Sequence, residues 1–189
     1  MASSAYGEKM AVAAVAQRVI QAVGESPVAD KVAEIQVKIY GALIDWAVRS
    51  PFHTDALGHS VHPVLTDVTI GCWLSSSVLD LAGGRDSRGS ATLLVGAGLI
   101  ASGPTAIAGA ADWAGLTGEE RRIGAIHSLS TDVAGVLFLG SLIARLRGRD
   151  SAGTAFGLAG NVVLMGAGFL GGHLALARGT ARRAPATEH

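Results

Sequence analysis

The sequence predicts an all-α protein: an integral membrane four-helix bundle, up-down and antiparallel, with amphipathic N-terminal helices in front of it. Three observations carry that expectation. Four apolar segments are each long enough to cross a bilayer, which takes about 20 residues of helix. Charged residues are only 16% of the 189 against 49% hydrophobic, too little charge to coat a soluble globule of this size. The stretches between the segments, "GGRDSRG", "DWAGLTGEERRI" and "RLRGRDSAG", are short and charged, as suits antiparallel neighbours.

In order along the chain, residues 5–23 carry a weak helical pattern that Pro27 separates from a stronger one. In "VADKVAEIQVKIYGALIDWAVRS", Val32, Ile35, Ile39, Ala42 or Leu43, and Trp46 form one stripe, with Lys31, Glu34, Lys38 and Asp45 off it. That spacing makes an amphipathic helix suited to a membrane surface, a partner or the open end of the bundle. The membrane-length segments follow at about residues 64–82, 90–111, 124–144 and 155–177. Glycine is abundant, at 26 residues, and small pairs four apart (Gly71 and Ser75, Gly98 and Ser102, Gly168 and Gly172) predict close helix contacts, with Pro104 a tolerated kink. The chain thus divides into an amphipathic region (1–56), a transmembrane domain (57–180) and a tail (181–189).

Several function classes are excluded. With a net charge of +0 and no basic run interleaved with aromatics, nucleic acid is not an expected partner. One cysteine, Cys72, allows neither an internal disulfide nor a cysteine-based zinc or iron–sulfur site. The N-terminal stretch has no compact apolar core or cleavage site and does not read as a secretory signal. Arg85, Arg88, Arg145, Arg147 and Arg149 fall in the first and third loops. The other side has Arg49, Arg121, Arg122, Arg178, Arg182, Arg183 and the N-terminal lysines. That balance leans to a multi-pass protein of the inner membrane with both termini cytoplasmic.

Up-down connectivity brings His59 and His62, Asp112, His127 and His173 to one side of the bundle, with His53 nearby and His189 terminal. Ionisable groups at membrane depth are costly and usually face a path or a site. "HPVLTDV" at residues 62–68 is echoed by "HSLSTDV" at 127–133, and "VGAGL" by "MGAGF". An internal duplication would set His62 and His127 at one depth on opposed helices. Imidazoles so placed are the protein side of a bis-histidine haem b. Imidazole clusters of this kind also suit copper, iron or zinc, with His173 and His59 as further ligands. Thr66 and Thr131 share the histidines' helical face, while Asp67, Asp132 and Asp112 would support the ligands from behind. His62, just before Pro63, would cap the helix. The plainer expectation is that such histidines bond water, lipid phosphates or loop carbonyls, that Trp113 anchors at the interface, that Trp73 packs, and that "EERR" is a solvated loop.

These residues resemble a bacterial membrane family known as domain of unknown function 2231. Its opening block is matched by "GHSVHPVLTDVTIGCW" at residues 58–73, followed by Asp80. Further blocks match at Gly109 with Asp112 and Trp113, at Arg121, Arg122, Gly124 and His127, and at Gly171, Gly172, His173, Leu174 and Gly179. The resemblance covers residues 57–180, with Ser60 and Thr69 where the family favours proline and Thr131 in place of its asparagine. It implies the membrane fold and, because members are often joined to Rieske iron–sulfur domains, redox chemistry with a Rieske protein as partner. The sequence therefore supports a histidine-rich electron-transfer site in the lipid bilayer. The competing readings are a non-catalytic scaffold or accessory subunit docking a partner through its N-terminal helices, and a homo-oligomeric transporter using Asp67, Asp80, Asp132 and Asn161.

Overall fold

The computed structural model describes residues 2–54 and 56–182, with backbone only for residues 2–9 and 12; Asp55, Arg183 and His189 lie outside the described residues. Six α-helices account for nearly all of it: α1 (Ala2–Gly24), α2 (Pro27–Val48), α3 (His62–Ala82), α4 (Arg88–Ala114), α5 (Gly118–Leu146) and α6 (Asp150–Gly172), the last continued by a π-turn at His173–Ala177. The four helices from α3 onward are long and apolar enough to cross a membrane. They stand in ring order α3, α4, α5, α6, so α3 and α5 face each other across the diagonal.

Helix ends extend further than hydropathy suggests, because polar residues are drawn into the terminal turns. "GEERR" opens α5 instead of forming a solvated loop. Glu119 pairs with Arg178 at 2.7 Å, and Arg122 reaches Asp30 and the Gly24 carbonyl. Arg145, expected in a loop, is the last turn of α5 and is buried. Ser26 caps α2, its hydroxyl accepting from Val28 and Ala29, and Pro27 takes a first-turn position where no amide donor is needed.

The expected duplication is visible as geometry in the echo of His62 by His127, though "VGAGL" and "MGAGF" do not fall at equivalent positions of it. In α3, His62 covers Gly109 of α4 and Trp73 covers Gly98; in α5, His127 covers Gly171 of α6 and Phe138 covers Gly160. The spacing is the same in both halves. Trp73 and Phe138 then stack face to face where the halves meet, centroids 4.0 Å apart. The glycines that admit close approach are thus mostly not the small pairs read from sequence: only Gly98 is buried against a neighbour, while Gly71, Gly168 and Gly172 face open space.

At the end of the bundle away from the histidines, Asp80 and Arg145 occupy equivalent positions of the two halves and form a bidentate ion pair, one contact at 2.9 Å. Both side chains are almost fully buried, and Ser141 accepts from the Arg145 Nε at 3.1 Å. Asn161 of α6 donates to the Trp73 carbonyl and to Ser77 beside it.

Single substitution Asp80→Asn leaves a buried guanidinium uncompensated, and breaking such a pair costs about 3–5 kcal/mol. The expected outcome is loss of the folded species on size exclusion in detergent. The exchange Asp80→Arg with Arg145→Asp restores it in large part; failure of the exchange to improve on the single variants would remove pairing as the cause.

Candidate functional site: paired histidines on the bundle axis

His62 is the first residue of α3, with Val61 at the cap position, so it does not cap the helix itself. The turn that leads in is tightly held. Ser60 is buried, its hydroxyl donates to Asp112, and the His62 amide donates to Ser60 Oγ at 3.0 Å. The Ser60 amide donates to the Ala181 carbonyl at 2.8 Å, which ties the C-terminal segment to the same turn. The Ser60 hydroxyl thus ties the entry in both directions, donating to one partner and accepting from another.

The ring of His62 donates from Nδ1 to the Thr105 carbonyl at 2.9 Å, and the ring of His127 from Nδ1 to the Ala167 carbonyl at 2.8 Å. A carbonyl can only accept, so Nδ1 carries a proton in each ring. No hydrogen bond within the described residues engages either Nε2. The two rings meet across the diagonal with centroids 6.3 Å apart and planes at 87°. A Cβ added at Gly109 would lie 2.8 Å from His62 Cε1, and one at Gly171 would lie 2.8 Å from His127 Cε1. Each imidazole is therefore fixed twice, by a hydrogen bond and by a seat that only glycine leaves open.

The other candidates are placed elsewhere. His59 is exposed and donates to the Ser60 carbonyl at 2.9 Å, its backbone bridged to Arg182. His173 lies in the π-turn and accepts from Arg178 Nε at 3.3 Å. Thr66 and Thr131 share the histidines' face but spend their hydroxyls on the carbonyls of His62 and Ser128. Asp67 is exposed, and Asp132 accepts from the Tyr40 phenol at 3.4 Å. The Asp132 charge, with a smaller contribution from burial, holds that phenol above its ordinary range. Asp112 accepts from Ser60 and so supports the turn carrying His62. Among the described residues no group of three or more His, Cys, Asp or Glu side chains could hold a metal ion. His62 and His127 are brought together; His59 and His173 do not join them.

What the sequence missed is the acceptor for each Nδ1, a helix carbonyl exposed to the ring by a nearby glycine. The signal was present in the glycines themselves, since Gly98 and Gly109 stand as far apart in sequence as Gly160 and Gly171, and as His62 and Trp73 or His127 and Phe138. Trp113, expected as an interfacial anchor, donates to the Arg121 carbonyl at 3.0 Å and packs its ring over Gly124, closing the turn from α4 to α5.

Gly109→Val or Gly171→Val forces a branched side chain into an imidazole's seat, and overpacking of this kind costs about 1–3 kcal/mol. Thermal unfolding in detergent is expected to show a lowered midpoint for both. Gly103→Ala, in open space on the same helix as Gly109, is expected to leave it unchanged or raise it.

No curated protein and no solved structure matches the chain. A family model described as predicted membrane protein (DUF2231) matches residues 58–183, which takes in all four membrane-length helices, both histidines and both ends of the buried ion pair. The chain belongs to that family of predicted membrane proteins.

Proposed function

We propose that this membrane protein carries electrons through one transition metal held between His62 and His127, with the iron of a b-type haem as first candidate and copper as second. The observation that supports it is the pair of imidazoles on diagonal helices, each with Nδ1 committed to a carbonyl, at a centroid separation of 6.3 Å. Two imidazoles held on facing helices would be the protein's donors to one such metal.

The number of donors narrows the metal. Zinc at a structural site takes four protein ligands. Two protein imidazoles, His62 and His127, would be the donor set for haem iron or for cuprous copper. When bound, such a metal supplies a one-electron couple. The chain's own part is to fix both rings, hold each in the Nδ1–H tautomer and keep water away with the stacked Trp73 and Phe138 beneath. A separate redox protein, for which a Rieske iron–sulfur protein is the candidate class, would be donor or acceptor of the electron.

A second reading, a scaffold without a cofactor, draws on the same hydrogen bonds: each Nδ1–H already ties the two helices of its half together. An oxidised-minus-reduced visible spectrum of the protein purified from membranes, with metal analysis, separates the two. The expected result is b-type haem bands or one copper per chain, brought to background by His62→Ala and by His127→Ala and unaffected by His53→Ala. Folded protein with neither haem nor metal would falsify the electron-carrier reading and leave the scaffold.

A further inference from the structure

We propose that α2 is an interfacial helix seated at the boundary between headgroups and acyl chains, with one apolar face turned to the acyl chains, so that the membrane surface meets the bundle at the level of the histidine pair. The stripe that marks α2 as amphipathic in sequence does not face the bundle. The residues α2 buries in the groove between α4 and α5 are Ala29, Ala33, Gln36 and Ala47, and Gln36 donates to the Ala125 carbonyl and to Ser128 at 2.9 Å. The large apolar side chains stay open: Ile35 is 53% exposed, Ile39 66% and Trp46 49%.

Successive helical residues turn by about 100°. On that wheel the open apolar set lies roughly a quarter-turn from the buried set, and Lys31, Glu34, Lys38 and Asp45 lie roughly opposite the buried set. The helix thus has a small-residue face for the bundle, a charged face pointing away from it and an apolar face along one flank. Which way that flank points follows from the other flank. Asp30 reaches Arg122, in the second turn of α5, and Val48 lines a cleft of about 550 Å³ with Asp112, Leu116, Glu120 and Arg178. Both contacts are with the end of the bundle that extends past the histidines, where α4 ends and α5 begins.

The apolar flank is therefore turned the opposite way, down the outer wall of the spans. That wall continues its surface: Val133, next to the Asp132 that Tyr40 touches, and Val136 are exposed on α5. Charged residues bar α2 from crossing the bilayer, and an apolar flank of this size is not kept in water without cost. Acyl chains are the occupant that satisfies both faces at once.

The test uses the full chain in phosphatidylcholine vesicles. Trp46 fluorescence, isolated by subtracting the Trp46→Phe variant, is expected to be quenched several-fold more by lipids brominated on the acyl chain than by aqueous iodide. Single spin labels at positions 35, 39, 38 and 45, in a Cys72→Ser background, give the second readout. Oxygen collisions should dominate at 35 and 39 and a water-soluble nickel chelate at 38 and 45. Iodide quenching of Trp46, or nickel access at 39, overturns the proposal by placing the flank in water. Shielding of position 39 from both reagents overturns it by placing a protein there, either a partner or a second copy. None of these outcomes depends on whether a metal is bound.

Discussion

The bundle depends on one contact made four times: a flat ring laid over a glycine of the next helix. Lipid offers no hydrophobic drive to press helices together, so association relies on packing and on satisfied polar groups. A ring over bare backbone gives the largest contact area for the smallest separation. His62 over Gly109 and Trp73 over Gly98 join α3 to α4; His127 over Gly171 and Phe138 over Gly160 join α5 to α6. Each half is thereby a rigid pair, and the rings that make it rigid are also the surface it presents to the other half.

Along the common axis the rings and charges form three layers. At one end stand the two imidazoles, in the middle the Trp73–Phe138 stack, at the other end the Asp80–Arg145 pair. Equivalent positions of the two halves meet in every layer. A strictly repeated sequence would set like against like, which aromatic rings and neutral imidazoles tolerate and charges do not. The aspartate–arginine exchange is where the duplication has to break its own symmetry, because a like-charged pair buried in a membrane has no compensation.

The layers also give the site its direction. The aromatic stack lies between the imidazoles and the far end of the axis, and at the near end Ser60, Asp112 and the C-terminal segment are knotted together. The N-terminal helices pack at that same end, α1 through Ile20 against Ile123 and Leu170, α2 through its small face. A redox partner for the proposed metal centre would therefore meet the protein at the face that α1 and α2 surround.

How much of this was legible in the sequence depends on the range of the interaction involved. Composition and four apolar runs determined the membrane fold, because the cost of unsatisfied backbone in lipid leaves a chain of this kind only helices. The echo of "HPVLTDV" in "HSLSTDV" located the two halves and singled out His62 and His127, since a duplicated backbone repeats its side-chain positions. The tertiary structure decided the rest. Only the packed bundle could show that His59 and His173 turn to Ser60 and Arg178, because their partners lie on local turns whose path composition does not encode. Only it could draw Arg145 out of a presumed loop to meet Asp80, since a charge beside a helix end looks the same in sequence whether it faces water or a partner on another helix. And the hydrophobic stripe of α2 was legible as a face, while its direction stayed open between the membrane surface, a partner and the end of the bundle. Amphipathicity fixes that a helix has two sides, while the choice between bundle and bilayer falls to the small residues, Ala29, Ala33 and Ala47, that let one of those sides come close.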